Sequence, residues 1–345
     1  TSDNIMLAGG MGSVHTLTFS APVTNPVVAI MSMGSSATTT VCRFDNDFAL
    51  LGCALVLLVA AVLLPRVELS RDTYDYHVVL DVTQSMNVED YELDRAPVDR
   101  LTYAKHAVRS ALQELPCGSR IGWGAFAEYR TVVLLAPVEI CSNYDDLLES
   151  LEKIDGRMRW GEASEITKGV FWALRAARDL GDGANVIFLS DGQEAPPLDA
   201  TRQAVAIFED ITVGATDGWL VGVGGYAAQP IPRTDADGHR LGYWRAHEVI
   251  QRATDPSGSI AASSEHLSAL HEAHLQSLAS QIGFQYRRLS DVDTIEQTLR
   301  DVRLAKQNSV PTDISWAPAA LALLLLAIKF TPTGRMTRNP PRSRL

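Results

Sequence analysis

An aspartate followed at two-residue steps by two hydroxyls, Asp81-Val82-Thr83-Gln84-Ser85, closes the apolar run Tyr76, Val78, Val79, Leu80. Such a run reads as a parallel strand buried on both faces, and ligands of open α/β sheets gather outside the carboxyl ends of such strands. Oxygen-only donors at that position suit a hard divalent cation, Mg2+ first and Ca2+ or Mn2+ after it, rather than zinc. The same residues also read as an ordinary helix N-cap.

Two further segments favour the cation. Val186 to Leu189 is a second apolar strand and ends in Ser190-Asp191-Gly192, a carboxylate before a turn-forming glycine. Between the two lies Trp160-Gly161-Glu162-Ala163-Ser164-Glu165-Ile166-Thr167-Lys168-Gly169, a polar loop with two hydroxyls that opens the apolar helix Val170 to Leu180. Three loops thus supply Asp and Ser/Thr oxygens.

This three-part pattern resembles the von Willebrand factor A (VWA) domain with its metal-ion-dependent adhesion site (MIDAS): DxSxS after the first strand, a Thr in a mid-chain loop, and an Asp in a DG turn. Asp81 and Ser85 match the first motif, Thr83 replaces its middle Ser and keeps the hydroxyl, and Asp191 matches the DG turn. The family places its mid-chain hydroxyl five residues before a small helix residue, so Ser164 with Gly169 fits better than Thr167. The resemblance implies a cation held by Asp81, Thr83, Ser85, Ser164 and Asp191, with an open position completed by an Asp or Glu of a protein partner.

The elements that must carry these residues alternate between strand and helix. A helix from Arg100 to Leu115 follows an acidic excursion, Asn87 to Asp99. Strands at Arg120 to Phe126 and Thr131 to Ala136 precede a helix at Asp145 to Ile154. Beyond Asp191 come a helix at Asp199 to Glu209, a strand at Gly218 to Val223, and a long insert from Tyr226 to Ser259. A helix at Glu265 to Ser280, a strand at Phe284 to Leu289 and a helix at Val292 to Lys306 complete the series. Alternation of this kind predicts a doubly wound, mostly parallel α/β sheet; the resemblance implies six strands with one antiparallel edge, within residues 74–306. It also implies that the strands on either side of Tyr129 form a hairpin, which would set Cys117 opposite Cys141. A bridge between them suits an oxidising compartment, and two unrelated thiols remain the other reading.

Two apolar runs flank this domain. Phe48 to Leu64 and Ile314 to Ile328, within residues 314–330, read as transmembrane helices near the lower length limit. Residues 331–345 carry Arg335, Arg338, Arg342 and Arg344 and no acid, which the positive-inside rule assigns to the cytoplasm. The domain then faces the periplasm from a bacterial inner membrane. Residues 1–47, rich in Ser, Thr and Gly, read as poorly ordered. The chain has a net charge of −11, and the acidity lies in the domain, which disfavours nucleic acid as a partner.

Other chemistry is thin. His266, His271 and His274 lack a completing zinc set and read as solvent-facing on one helix. Glu162, Glu165 and Glu194 lie near the cation motif and read as solvated loop residues, with tuning of its charge as the other reading. Gly222 to Gly225 lacks dinucleotide-loop spacing, and no nucleophile elbow is present. The layout, with its insert and the segment Ala279 to Tyr286, resembles the BatA-like group associated with MoxR-type AAA+ ATPases. The WGEASEITKG loop and the cysteine hairpin resemble the VWA proteins of methanol-oxidation gene clusters. The expectation is therefore a non-enzymatic VWA protein that binds a partner through its cation and assists maturation of a periplasmic enzyme such as methanol dehydrogenase, with a AAA+ ATPase. An envelope protein with a merely stabilising cation, or a metal-dependent hydrolase, are the alternatives.

Overall fold

The structure is a computed structural model and describes residues 46–63, 66–181, 183–196, 214–249 and 264–330. It divides into two units, one within residues 1–64 and 314–345 and the other Pro65–Asp313.

The first unit pairs helix α1 (Asn46–Leu63) with the last helix among the described residues, Trp316–Phe330, and the small side chains Ala54 and Ala322 are buried. The two apolar runs are thus helical, but the expectation of membrane spans is overturned. No helix among the described residues is long and apolar enough to cross a membrane. At 1.5 Å per residue the 15 residues of the last helix reach about 22 Å, well short of a hydrocarbon core of about 30 Å. The 18 residues of α1 begin with Asn46 and Asp47. The sidedness inferred from the basic tail falls with the spans; residues 331–345, like residues 1–45 and the helix expected at 199–209, lie outside the described residues.

The second unit opens with β1 (Val67–Thr73) and β2 (Asp75–Asp81), followed by a short hairpin of β3 (Tyr91–Leu93) and β4 (Ala96–Val98). Helix α2 (Arg100–Leu112) is capped by Asp99, whose side chain accepts from the amide of Thr102. Strands β5 (Arg120–Ala127) and β6 (Arg130–Glu139) form the hairpin around Tyr129, and α3 (Tyr144–Glu152) and α4 (Ile166–Asp179) precede β7 (Asn185–Ser190) and β8 (Gly218–Gly222). The insert holds β9 (Gln229–Pro230), β10 (Pro232–Thr234) and β11 (Arg240–Tyr243), and β12 (Leu267–Ser268) pairs back onto β9. Helix α5 (Glu272–Ile282), β13 (Gln285–Arg288), α6 (Asp293–Leu299), β14 (Lys306–Thr312) and α7 (Trp316–Phe330) complete the elements among the described residues.

The six-stranded sheet runs β13-β8-β7-β2-β5-β6, parallel throughout except for the β5–β6 hairpin at one edge. Strand β2 is buried along its whole length, as a central strand covered on both faces must be. Its side chains alternate between two cores: Tyr76, Val78 and Leu80 join residues of α2, α3 and α6, and Val79 joins residues of α4 and α5. The fold is thus a VWA-like doubly wound sheet.

Two elements differ from expectation. Val292 to Lys306 is not one helix: α6 stops at Leu299, and Lys306 begins β14, which pairs antiparallel with β1. The β1–β14 ribbon is almost wholly exposed, so no apolar alternation marks it; polar side chains zip it, as where Ser70 Oγ donates to Gln307 Oε1 at 2.9 Å. Helix α5 begins at Glu272, later than expected, because Leu267 and Ser268 are taken by β12.

Candidate functional site

Asp81 is the last residue of β2 and is wholly buried. Its Oδ1 accepts from the amide of Thr83 at 2.9 Å and from Thr83 Oγ1 at 2.6 Å, a local turn that delivers the chain into a single 3-10 turn at Gln84–Asn87. Thr83 Oγ1 lies 3.2 Å from Ser85 Oγ. Three side chains of the motif therefore form one hydrogen-bonded cluster. Across the sheet, Ser190 Oγ at the end of β7 donates to Asp81 Oδ2 at 2.7 Å and accepts from the amide of Gly192 at 2.9 Å. Burial, and then the charge of nearby Asp191, push the Asp81 carboxyl up to about 7.

Asp191 is also wholly buried. Its Oδ1 accepts from the amide of Gln193 at 3.0 Å, and its Oδ2 accepts from Arg100 Nη1 at 2.8 Å and from Ser268 Oγ at 2.7 Å. Sequence reasoning missed Arg100. It is the first residue of α2, where the helix dipole disfavours a cation, and that placement was the available signal that a carboxylate must answer it. Its guanidinium is closed to solvent, donates from Nη2 to Asp90 Oδ2 at 2.7 Å, and reaches the carbonyl of Ser85 from Nη1 at 3.3 Å. Gly224, at φ +123°, passes so close that a Cβ there would lie 2.8 Å from Arg100 Cζ.

Ser164 enters from the loop before α4. Its amide donates to Ala195 O at 2.7 Å and the amide of Ala195 returns a bond at 2.8 Å, which fastens this loop to the one after β7. Ser164 Oγ is buried and has no hydrogen-bond partner among the described residues. Thr167, the rejected alternative, is committed elsewhere: its amide and Oγ1 donate to Glu194 Oε1 at 3.0 and 2.8 Å, capping α4.

Among the flanking groups, Glu162 is exposed as expected, whereas Glu194 and His274 differ from their expected solvated state. Glu194 is buried and His274 Nε2 lies 3.1 Å from its Oε1, so neither is a plain surface residue. Glu162 accepts from Gln84 Nε2 at 2.5 Å, and Glu165 pairs with Lys168. His266 lies before β12 rather than on α5. Gln84, between the two hydroxyl residues, also reaches the insert: its Oε1 accepts from the amide of Thr234 at 3.1 Å and from Trp244 Nε1 at 2.9 Å. Arg159 Nη2 adds a bond to Thr234 O at 2.7 Å. The β10–β11 hairpin is thereby held on the β2 loop.

Cys117 and Cys141 are joined as a disulfide, with Cα atoms 5.3 Å apart. A second grouping of potential ligands, Asp235, Asp237 and His239, is exposed in the β10–β11 turn, where Asp235 Oδ1 accepts the amides of Asp237 and His239.

Residues 76–193 match the von Willebrand factor type A domain model, a span that holds all five motif residues. Among solved structures, the chain is similar to an aerotolerance-related membrane protein from Bacteroides fragilis (17% identity, 66% of this chain and 96% of that one, TM-score 0.44). It is similar also to the conserved hypothetical protein BatB from Bacteroides thetaiotaomicron (19% identity, 65% and 94%, TM-score 0.43). A membrane spanning protein from Vibrio fischeri shares 19% identity over 65% and 95%, with a TM-score of 0.27. No curated protein sequence matches the chain.

Proposed function

Residues 76–193 are a von Willebrand factor type A domain, and from that premise we propose that the domain is a MIDAS-bearing recognition module that grips an acidic side chain of a protein partner through a divalent cation. Asp81, Thr83, Ser85, Ser164 and Asp191 are the residues that would hold it. The observation that carries this reading is Ser164 Oγ, a hydroxyl buried without a partner in the loop tied to the one bearing Asp191. A buried polar atom left unpaired is costly, and a cation is one way to satisfy it. The donor set fits a hard ion, Mg2+ before Ca2+ or Mn2+, because every side-chain donor is oxygen. When bound, such an ion supplies affinity for an external carboxylate.

The domain's own residues do the rest. Asp81 anchors the hydroxyls of Thr83 and Ser190, Asp191 is oriented by Arg100 and Ser268, and the Gln84 contacts hold the insert beside the site. These are the parts of a rigid binding platform, so the reading is a binding protein rather than an enzyme. The bridge between Cys117 and Cys141 fits work in an oxidising compartment such as the periplasm. Within that compartment the client class is a periplasmic enzyme under maturation, of which methanol dehydrogenase is one candidate, with a MoxR-type AAA+ ATPase as co-worker. Affinity purification with the intact chain and with Asp81→Ala tests it: partners recovered with Mg2+ should vanish in the variant and with chelator. Recovery of the same proteins under all three conditions would refute it.

A further inference from the structure

We infer that the insert between β8 and α5 is a working part of the candidate cation site: it braces all three loops that carry the motif residues, with Trp244 and Ser268 as its positioning residues, so that cation binding and placement of the insert are linked. The inference rests on the cation-binding reading above and goes beyond it by giving the insert a role and by naming residues outside the motif.

Each loop is held separately. In the loop after β2, Gln84 sits between Thr83 and Ser85, and its Oε1 accepts from the amide of Thr234 at the end of β10 and from Trp244 Nε1 just after β11, at 3.1 and 2.9 Å. The loop that brings Ser164 contributes Arg159, whose Nη2 donates to the carbonyls of Thr234 and Asp235 at 2.7 and 3.0 Å, and Glu162, which accepts from Gln84 Nε2. In the loop after β7, Ser268 Oγ of β12 donates to Asp191 Oδ2 at 2.7 Å, and Gln193 Nε2 donates to the carbonyls of Glu265 and Leu267 at 3.2 and 3.3 Å. Gln84, Gln193 and Ser268 are all buried. The parts of the insert are also tied to each other: β9 pairs with β12, the amide of Ile231 donates to His266 O at 3.2 Å, and the amide of Trp244 donates to Ile231 O at 3.0 Å.

A cation held by donors from three loops requires those loops at fixed separations. Whatever sets the separations beforehand lowers the cost of ordering the donors when the ion enters, and the insert does so by bonding to all three. The effect runs both ways: an ion that fixes the loops also fixes the anchors of the insert, so a change that loosens the insert must weaken the ion by the same factor. Trp244 isolates this linkage, because its indole bonds to Gln84 and to none of the five donors. Ser268 acts one step closer, by orienting the carboxylate of Asp191.

The test titrates the full chain with Mg2+ by calorimetry and follows amide exchange at Thr234 by nuclear magnetic resonance with and without Mg2+, in the natural protein, Trp244→Leu, Ser268→Ala and, as a control without the cation, Asp81→Ala. The expected result is that Mg2+ slows exchange at Thr234 in the natural protein but not in Asp81→Ala. Trp244→Leu, folded by circular dichroism, should bind Mg2+ at least about fivefold more weakly. Ser268→Ala should bind it about tenfold or more weakly, as loss of a partner that orients a ligating carboxylate does. A merely structural role would lower the stability of both variants and leave exchange at Thr234 indifferent to Mg2+. If the natural protein binds Mg2+ but exchange at Thr234 does not respond, or if either folded variant binds Mg2+ as tightly, this inference fails and the cation-binding reading stands. If the natural protein does not bind Mg2+, both fail. If neither variant folds, the response at Thr234 of the natural protein decides: slowing by Mg2+ upholds the linkage and its absence overturns it.

Discussion

The guanidinium of Arg100 stands 2.8 Å from the carboxylate of Asp191, and neither side chain has any exposure to solvent. This pair joins α2 to the loop after β7. Through Asp90 and Ser268 it also fastens both stems of the insert, since Asp90 holds the amide of Gly225 and Ser268 belongs to β12. The candidate site is thereby built on a buried charge network, and its properties follow from burial as much as from the motif.

Asp81 and His77 should give the metal-free protein opposing pH dependences. The Asp81 carboxyl titrates at about 7 in the fold, above its unfolded value, so its protonated form contributes stability below about pH 4 that is lost as pH rises through 7. His77 is wholly buried, neither ring nitrogen has a partner among the described residues, and burial lowers it to about 4. Unfolding exposes an imidazole that takes a proton from about pH 6.5 downward, so His77 costs up to roughly 3 kcal/mol of stability as pH falls to 4. Thermal unfolding in chelator should therefore show stability rising from pH 4 to 6.5 in Asp81→Asn and falling across pH 4 to 7 in His77→Leu. Parallel profiles for the two variants would count against both assignments.

Opening the disulfide should weaken the domain without undoing the sheet. Cys117 and Cys141 are 24 residues apart and clip the ends of the β5–β6 hairpin, a loop whose closure constrains the unfolded chain by about 3 kcal/mol. Cys117→Ser/Cys141→Ser should lower the midpoint of urea unfolding by a corresponding amount while the circular dichroism spectrum is kept.

Much of this was legible in the sequence, and the reasons for success and failure are physical. Continuous apolar runs such as Val186 to Leu189 fix the buried strands, and the aspartates at the ends of two of them, Asp81 and Asp191, mark the ligand edge. Ser164 was separable from Thr167 only by spacing; in the structure Thr167 proves to be tied up by Glu194. The β1–β14 ribbon, exposed and polar, carries no periodic signal. Arg100, Asp90, Asp191 and Ser268 come from segments up to 178 positions apart, from Asp90 to Ser268, and local pattern cannot join them. The flanking apolar runs showed composition but not reach, and the helices they form are not long and apolar enough to cross a membrane.

Gly169→Ala should destabilise the domain. A Cβ at this position of α4 would stand 2.2 Å from Phe126 Cε2, in a core already filled by Phe126 and Phe188. Overpacking of that kind costs about 1–3 kcal/mol. Chemical denaturation measures it, and an unchanged midpoint would show that Phe126 can move aside.

Gln84→Ala should release the insert. Loss of the bonds from Thr234 and Trp244 to Gln84 Oε1 frees β10 from the β2 loop, while the sheet does not use this side chain. Amide exchange should quicken by tenfold or more at Thr234 and stay unchanged along β2. Equal exchange in the variant would mean that Arg159 alone holds the hairpin.

The central claim is that Asp81, Thr83, Ser85, Ser164 and Asp191 hold a divalent cation. Isothermal titration of Mg2+ and Mn2+ into the natural protein, Ser164→Ala and Asp81→Ala tests it most directly. The account predicts one site in the natural protein, about tenfold or more weaker in Ser164→Ala, as loss of about 1.4 kcal/mol of binding energy requires, and absent in Asp81→Ala. Cation binding of the same strength in all three folded proteins would contradict it.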